Sequence, residues 1–330
     1  MIINCMQPEN LPIINRPLSS AMKKHGALAD IHEEIFCIHR LRRATIRLIA
    51  LQMLSYIRNR WHPLWRLRKT AAYRLFQRRF DFTVFTRVPG TGIKVAVRFL
   101  RDATWLAAPA AVEPGVRKAF LVVIDAFKPA VFWDVGSNIG FYSWFLRQHP
   151  STAQIVMFEP DPVNFALIKR TLRKNDISNC TALDIALSDR EGETTFLTDP
   201  ASGTTGCLEA VSHSHDEHSL HHAYAMSDSI RCRTGTMDGL IAEGVPAPDF
   251  IKIDVEGAEH LVLAGAAACL ARQRPVLIIE TFDPAVIREI VAAGYAISSI
   301  DGSNFLCVPR ELGKEQAVVE QSFPGYSEIP

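Results

Sequence analysis

The chain lacks the features that mark disulfide-stabilised, zinc-binding or membrane-spanning proteins. Its 330 residues include seven scattered cysteines and no Cys-x-x-Cys pair. This odd number without metal-ligand spacing is typical of reduced, intracellular thiols. No apolar run approaches the about 18 residues that a transmembrane helix requires. The first twenty residues contain three prolines and no long apolar stretch, so the sequence predicts a cytoplasmic protein without a secretory signal.

An excess of charge is also missing from the chain as a whole, but positive charge is concentrated locally. The formal net charge is +1, which favours no polyanionic partner. Between Arg40 and Arg79, however, Arg and Lys recur among Ile, Leu, Trp and Phe without any Asp or Glu. This pattern favours basic amphipathic helices. They either pack on the rest of the protein or attach it peripherally to the anionic inner face of a membrane. Nucleic acid is the less favoured partner, since nothing else in the chain resembles an RNA-binding module.

Changes of pattern along the chain predict two regions. Residues 1–110 are expected to form an N-terminal extension with a poorly ordered leader, the basic helices and a hairpin that turns at Pro89-Gly90. Residues 111–330 alternate apolar strands with amphipathic helices, which predicts an α/β domain with a doubly wound, mostly parallel sheet. The last two strands flank Asp301-Gly302-Ser303 and are expected to form an antiparallel hairpin at the sheet edge.

A glycine loop after the first strand of the second region indicates a ligand site. Asp134 ends an apolar strand, and Gly136, Asn138 and Gly140 follow before a helix. The spacing matches neither the Gly-x-Gly-x-x-Gly fingerprint of NAD sites nor a phosphate-binding P-loop. An acid that faces the ligand suits a cationic amine better than a pyrophosphate. The next strand ends at Glu159, where a carboxylate can accept hydrogen bonds from a ribose diol.

These features together favour a ligand that has adenosine and a charged amino acid tail but no pyrophosphate. S-adenosyl-L-methionine meets that description. In this interpretation Asp134 and the loop hold the methionine part of the cofactor, and Glu159 holds the ribose.

Several sequence blocks then resemble a known family. FWDVGSNIGFYS, FEPDPVNFALIKRTLRKN, IALSDREGETTF, DFIKIDVEGAEHLVLAGA and RPVLIIE look like the FkbM family of S-adenosylmethionine-dependent methyltransferases, in the expected order over residues 131–309. The resemblance implies a Rossmann-like class I methyltransferase fold and an enzyme of class EC 2.1.1.-. Its members mostly methylate hydroxyls of sugars or polyketides. The family does not account for residues 1–110.

The resemblance also implies roles for individual residues. Asp184, with Ile185 and Ala186, is expected near the adenine, and Asp254 with Glu256 near the transferred methyl group. Family members often carry a His shortly after the acid of the fifth strand. This chain instead reads Glu280-Thr281-Phe282-Asp283 at that point, which leaves the family's His without a counterpart.

Two acids at strand ends are the candidate catalytic residues. Asp254 and Glu280 end neighbouring predicted strands, on the rim where open α/β sheets bind ligands. A sugar hydroxyl is a poor nucleophile, so its methylation needs help from a base or a divalent metal. The two acids are expected to act as base and orienting group, or as two ligands of Mg²⁺ with waters completing the shell.

A histidine-rich segment lies between two predicted core elements. VSHSHDEHSLHH places five histidines between His213 and His222. The pattern is compatible with a metal site, with a histidine base on a loop that covers the acceptor, or with a solvated insertion.

The sequence therefore favours O-methylation of a hydroxyl on a glycan, glycolipid or related metabolite. One alternative is a nucleic-acid methyltransferase. It is disfavoured because the chain reads Asp254-Val255-Glu256-Gly257 where amino-methylating enzymes carry an Asn/Asp-Pro-Pro-aromatic loop. The other alternative is a non-enzymatic membrane-surface scaffold on a degenerate methyltransferase fold, against which the intact glycine loop argues.

Overall fold

The structure is a computed structural model that describes residues 70–87, 91–107, 112–147, 154–199, 203–211 and 228–313. The predicted leader, most of the basic Arg40–Arg79 segment and the whole His213–His222 segment lie outside the described residues. Within the described part of the chain, no helix has the length and apolar character needed to cross a membrane.

A seven-stranded sheet forms the centre of the molecule. In chain order its strands are β3 (Val131–Val135), β4 (Gln154–Phe158), β5 (Cys180–Leu183), β10 (Phe250–Ile253), β11 (Val276–Glu280), β12 (Tyr295–Ser299) and β13 (Asn304–Pro309). Their spatial order is β12-β13-β11-β10-β3-β4-β5. The five strands from β11 to β5 are parallel, whereas β13 is antiparallel to both β11 and β12. The sequence-based expectation of a doubly wound, mostly parallel sheet with an antiparallel C-terminal hairpin is confirmed.

Helices cover both faces of this sheet. They are α3 (Pro114–Phe127), α4 (Phe141–Leu146), α5 (Pro162–Lys174), α6 (Met237–Ala242), α7 (Glu259–Ala264), α8 (Ala267–Arg272) and α9 (Pro284–Ala292). Two apolar clusters lie on the two faces, one around Phe120 and Phe132 and the other around Trp133 and Phe158. Residues 132 to 135 of β3 are all buried, as expected for a central strand covered on both sides.

A second, four-stranded sheet was not expected from the sequence. It contains β6 (Ile185–Leu187), β9 (Asp228–Gly235), β7 (Gly192–Thr198) and β8 (Cys207–Leu208), in that order. The run CTALDIAL reads as one strand, but the structure divides it between the two sheets at Asp184. The reason is tertiary, because β6 pairs with β9 instead of continuing along β4.

The N-terminal part of the described chain packs on the main sheet region. Helix α1 (Ala71–Phe80) precedes the hairpin β1 (Thr83–Arg87) and β2 (Lys94–Arg98), and the short helix α2 (Ala103–Ala107) follows. The hairpin is antiparallel, as the Pro-Gly turn predicts. Three consecutive β2 residues, Val95 to Val97, are fully buried in the same core cluster as Phe120. The hairpin is thus part of the core of the domain.

Candidate active site

The glycine loop forms the tight turn between β3 and α4. Gly136 has a φ of +77°, and a Cβ there would lie 1.8 Å from the carbonyl oxygen of Asp254. Gly140 has a φ of +84°, and a Cβ there would lie 2.5 Å from Met157 Cε. Only glycine fits both positions, since other residues would need a strained backbone and would clash. The loop therefore lies directly against the end of β10, at the carboxyl edge of the sheet.

A cavity opens at this edge. Its wall includes four residues that the sequence predicts for the site, namely Gly136, Asn138, Glu159 and Asp254. An apolar strip formed by Ile185, Ala186, Leu187 and Phe196 completes one side. The cavity thus joins the ends of β3, β4 and β10 with the start of β6.

Glu159 lies at the cavity wall with both carboxyl oxygens held by backbone amides. One oxygen accepts a hydrogen bond from the backbone N–H of Asn138 at 2.6 Å, and the other from that of Asp161 at 2.9 Å. Burial, and after it the charge of Asp161, raises the pKa of Glu159 to about 8. These backbone hydrogen bonds and Arg101 act in the opposite direction. The group is therefore fixed in place but readily protonated near neutral pH.

Asp134 is placed differently from the sequence-based expectation. Its carboxylate accepts hydrogen bonds from the Ser143 hydroxyl at 2.6 Å and the Ser143 backbone N–H at 3.2 Å. It is 1% exposed and is not part of the cavity wall. Burial raises the pKa of Asp134, and Lys252 opposes this effect. Asp134 thus connects β3 to the first turn of α4, and a contact with the ligand stays a prediction.

Asp184 also lies away from the cavity wall. Its carboxylate is exposed and forms an ion pair with Arg233 at 2.6 Å. The next two residues, Ile185 and Ala186, do line the cavity. The break between β5 and β6 turns the Asp184 side chain outward, so its predicted contact with the adenine stays untested.

A buried lysine that is not among the residues predicted from the sequence forms an ion pair with Asp254. Lys252 is 2% exposed, and its Nζ lies 2.6 Å from Asp254 Oδ2 and 4.7 Å from the centroid of the Tyr142 ring. Burial by itself would lower the pKa of Lys252, but the carboxylates of Asp254, Glu113 and Asp134 raise it. The signal in the sequence is a lysine within the apolar strand FIKI, two residues before Asp254 and therefore on the same face of the strand.

Three carboxyl groups meet beside this lysine. Burial raises the pKa of Glu256 well above its usual value, and Asp254 and Glu280 raise it further. Burial and the charge of Asp254 raise the pKa of Glu280 to about 7, and Ser303 Oγ lies 3.1 Å from Glu280 Oε1. We call Asp254, Glu256 and Glu280 the carboxyl cluster. Glu256 and Glu280 thus lie close enough to Asp254 for its negative charge to raise the pKa of both.

The structure brings Asp254 and Glu280 together as the sequence predicts, but on different sides of the cavity boundary. Asp254 and Glu256 line the cavity, whereas Glu280 does not. Glu256 has a φ of +52°, which turns the chain directly after Asp254. Among the described residues, no group of three or more His, Cys, Asp or Glu side chains is arranged to hold a metal ion.

Comparison with known proteins shows which family this part of the chain is similar to. Residues 134–296 match the Methyltransferase FkbM domain. Over 179 residues the chain is 28% identical to methyltransferase sdnD of Sordaria araneosa, which covers 48% of this chain and 69% of that protein. Over 155 residues it is 30% identical to hexuronic acid methyltransferase AglP of Haloferax volcanii, which covers 46% of this chain and 55% of the relative. A solved structure of methyltransferase FkbM from Methylobacillus flagellatus shares 17% identity at a TM-score of 0.39, covering 54% of this chain and 43% of that one.

The chain thus shares a part, and not the whole, of each of these proteins. The matched range contains the glycine loop, Glu159 and the carboxyl cluster. It excludes the N-terminal helix and the hairpin. Residues 134–296, just under half of the chain, thus match the FkbM family of methyltransferases.

Proposed function

We propose that the protein transfers the methyl group of S-adenosylmethionine to a hydroxyl of a glycan, glycolipid or related metabolite. The observation that carries the proposal is one cavity with two different acidic parts. Glu159 lies beside the glycine loop, and Asp254 with Glu256 lies on the wall formed by the end of β10. Such a reaction requires an acid that binds the ribose diol of the cofactor and a carboxyl group that accepts the proton of the acceptor hydroxyl.

The residues of the cavity fit the proposed cofactor. A carboxylate offers about four acceptor positions, and backbone amides occupy one on each oxygen of Glu159. The remaining positions suit the two hydroxyls of a ribose. The apolar strip with Ile185 and Phe196 suits an adenine ring. We assign the methionine part to the loop of Gly136, Asn138 and Gly140. Asp134 fixes that loop through its hydrogen bonds to Ser143 in the helix that follows it. The bound cofactor supplies an electrophilic methyl group.

The carboxyl cluster is suited to accept the proton of the hydroxyl. In our proposal Glu280 is the base, because its pKa of about 7 leaves much of it unprotonated at neutral pH. Glu280 lies beside Asp254 but outside the cavity wall, so the acceptor hydroxyl binds past Asp254, on the side of Glu280. Asp254, fixed by Lys252 at 2.6 Å, orients the hydroxyl in line with the methyl group. The alternative is that these acids activate the hydroxyl through bound Mg²⁺. Turnover in EDTA separates the two roles: full activity supports the base, and loss that Mg²⁺ restores supports the metal.

A sugar hydroxyl is the acceptor that the relatives favour. One relative is named a hexuronic acid methyltransferase. A uronic acid offers both a carboxylate and hydroxyls to methylation. We assign the hydroxyl because its methylation, unlike that of a carboxylate, requires a base to accept a proton, and the carboxyl cluster offers one.

The product's chemistry tests this assignment. The purified full-length chain is incubated with methyl-labelled S-adenosylmethionine and separated glycan, lipid, nucleic-acid and protein pools. We expect label in the glycan or glycolipid pool that survives mild alkali, because methyl ethers are stable where methyl esters release methanol. Asp254→Asn is the matched negative control. Alkali-labile label would contradict the hydroxyl acceptor, and label in nucleic acid would favour the alternative enzyme class.

Peripheral membrane contact through residues 40–79 is part of the proposal for glycolipid acceptors. On the described helix α1, Leu75, Phe76 and Phe80 are about half exposed or more, and Arg79 lies 5.7 Å from the Phe80 ring. Exposed aromatic residues among arginines are typical of interfacial helices. Flotation of the full chain with anionic but not neutral liposomes would support this contact. Failure to float with either would remove it.

A further inference from the structure

Arg101 enters the cofactor region from outside the matched family domain. It follows β2, 33 positions before the match begins at residue 134. Its side chain is only 5% exposed. The guanidinium donates to Asp161 Oδ2 at 2.7 Å and to Asn164 Oδ1 at 2.8 Å. The positive charge of Arg101 is thus paired inside the protein, with residues at the start of α5.

The partners of Arg101 lie on the wall of the cavity. Asp161, Asn164 and Gly203 all line it. The carbonyl oxygen of Gly203 accepts hydrogen bonds from the side-chain amides of Asn164 at 3.2 Å and Asn138 at 3.1 Å. One continuous network therefore joins Arg101, the start of α5, the segment Gly203–Gly206 and the glycine loop.

Gly203 rests directly on the guanidinium. It has a φ of +67°, and a Cβ there would lie 2.4 Å from both Nε and Cζ of Arg101. The Nε of Arg101 also donates to the carbonyl oxygen of Asp199 at 3.4 Å, and Gly203 N–H donates to the same oxygen at 2.9 Å. The guanidinium thus supports this part of the cavity wall, through direct packing against Gly203 and a hydrogen bond to the Asp199 carbonyl oxygen.

The backbone that carries Arg101 is itself fixed. Asp81 Oδ1 accepts a hydrogen bond from the Leu100 backbone N–H at 2.7 Å, and Asp102 Oδ2 accepts one from Arg98 N–H at 2.7 Å. Both carboxylates are buried. The end of the hairpin therefore presents Arg101 in one position.

We infer that Arg101 is a positioning residue for the cofactor site, and that the N-terminal hairpin completes a site which the family domain does not complete alone. Arg101 holds Asp161, Asn164 and Gly203 against the glycine loop and Glu159. We call this contact of Arg101 with Asp161, Asn164 and Gly203 the clamp. The identity of the ligand rests on the proposed function, whereas the clamp is a property of the ligand-free protein.

Calorimetry with S-adenosylhomocysteine tests the inference on the full-length chain. We expect Arg101→Met to weaken binding at least tenfold and Arg101→Lys to recover part of the loss, since Lys keeps the charge but not the two-sided geometry. The matched control is Arg190→Met, which removes an arginine whose side chain is 80% exposed and which pairs with Asp189 at 3.5 Å, and it is expected to stay within twofold. Turnover at saturating cofactor is expected to change less than twofold. Wild-type affinity in a folded Arg101→Met protein would overturn the inference.

The pH dependence of binding separates positioning from general loss of structure. Arg101 is one of the groups that hold down the pKa of Glu159. The pH at which affinity levels off is therefore expected to move upward in Arg101→Met but not in Arg190→Met. An unchanged pH profile in Arg101→Met would contradict the assignment.

Hydrogen exchange in the ligand-free protein covers the case in which Arg101→Met folds poorly or the wild type binds no S-adenosylhomocysteine. Gly203→Ala places a methyl group against the guanidinium. We expect faster exchange in a peptide covering Gly203 to Leu208 in Gly203→Ala and Arg101→Lys than in Arg190→Met. Equal protection would overturn the clamp. If the wild type binds no S-adenosylhomocysteine but these two variants still exchange faster than the control, the clamp is supported and the proposed function is contradicted.

Discussion

At the scale of single residues, Glu159 couples ligand binding to pH. Its pKa is about 8 in the free protein, and hydroxyl donors favour its ionised form. Binding below pH 8 must therefore release a proton, so the affinity for S-adenosylhomocysteine is expected to rise between pH 6 and 8, by up to about tenfold per unit, and to level off above. Calorimetry in buffers of different ionisation enthalpy measures the proton release directly.

Glu159→Gln keeps the shape of the side chain but cannot ionise. We expect at least tenfold weaker binding above pH 8, together with loss of the pH dependence. Glu193→Gln is the matched control, because Glu193 is exposed and pairs with Arg231 at 3.2 Å, away from the cavity wall. A pH-dependent affinity that persists in Glu159→Gln would assign the effect to another group.

Asp254 and Lys252 are expected to separate catalysis from stability. Asp254→Asn leaves the Lys252 ammonium buried without its nearest partner, which we expect to cost about 3 kcal/mol in the free energy of unfolding. The double variant Asp254→Asn with Lys252→Met is expected to regain most of that stability but none of the turnover. Urea unfolding and rate measurements on all four proteins of the cycle check this. Recovery of turnover in the double variant would exclude Asp254 from the reaction.

At the scale of elements, the unit β3-loop-α4 is the part of the site that we expect to tolerate substitution least. Gly136→Ala would place a Cβ 1.8 Å from the Asp254 carbonyl oxygen and keep it at positive φ. We expect a loss of about 4 kcal/mol or more, or failure to fold, because the clash is with backbone. Gly302→Ala is the control, since nothing lies within 4 Å of that Cβ, and we expect a change within about 0.5 kcal/mol. Thermal melts decide, and similar stability of both variants would contradict the packing described.

The same scale shows where sequence patterns succeed and where they fail. The α5 start was predictable, because Asp161 accepts from Val163 N–H and Pro162 occupies the first helical position, both local effects. The division of CTALDIAL at Asp184 was not. Period-two apolar patterns predict strands but do not say which partner each strand pairs with, and here β9 competes with β4.

At the scale of the whole molecule, the hairpin and the main sheet share one core. The sequence places the domain boundary at residue 110, whereas Val95 and Val97 of β2 are fully buried with Phe120. We expect a fragment of residues 111–330 to lose cooperative unfolding, since each buried valine contributes about 1.5–3 kcal/mol. Calorimetric melting of the fragment beside the full chain tests this. A cooperative transition at the full-chain temperature would support the boundary at 110.

The sequence by itself determined the parallel sheet, the glycine loop at the end of β3 and the acid at the end of β4. These follow from local rules, since apolar runs, glycines and strand-end acids act within a few residues of each other. Only the tertiary structure decided that Asp134 lies beneath the loop, that Asp184 pairs with Arg233, and that Lys252 holds Asp254. It alone brings Arg101 to Asp161 across 60 positions of sequence. Such contacts depend on strand pairing and on which face each side chain takes, and distant parts of the chain fix both.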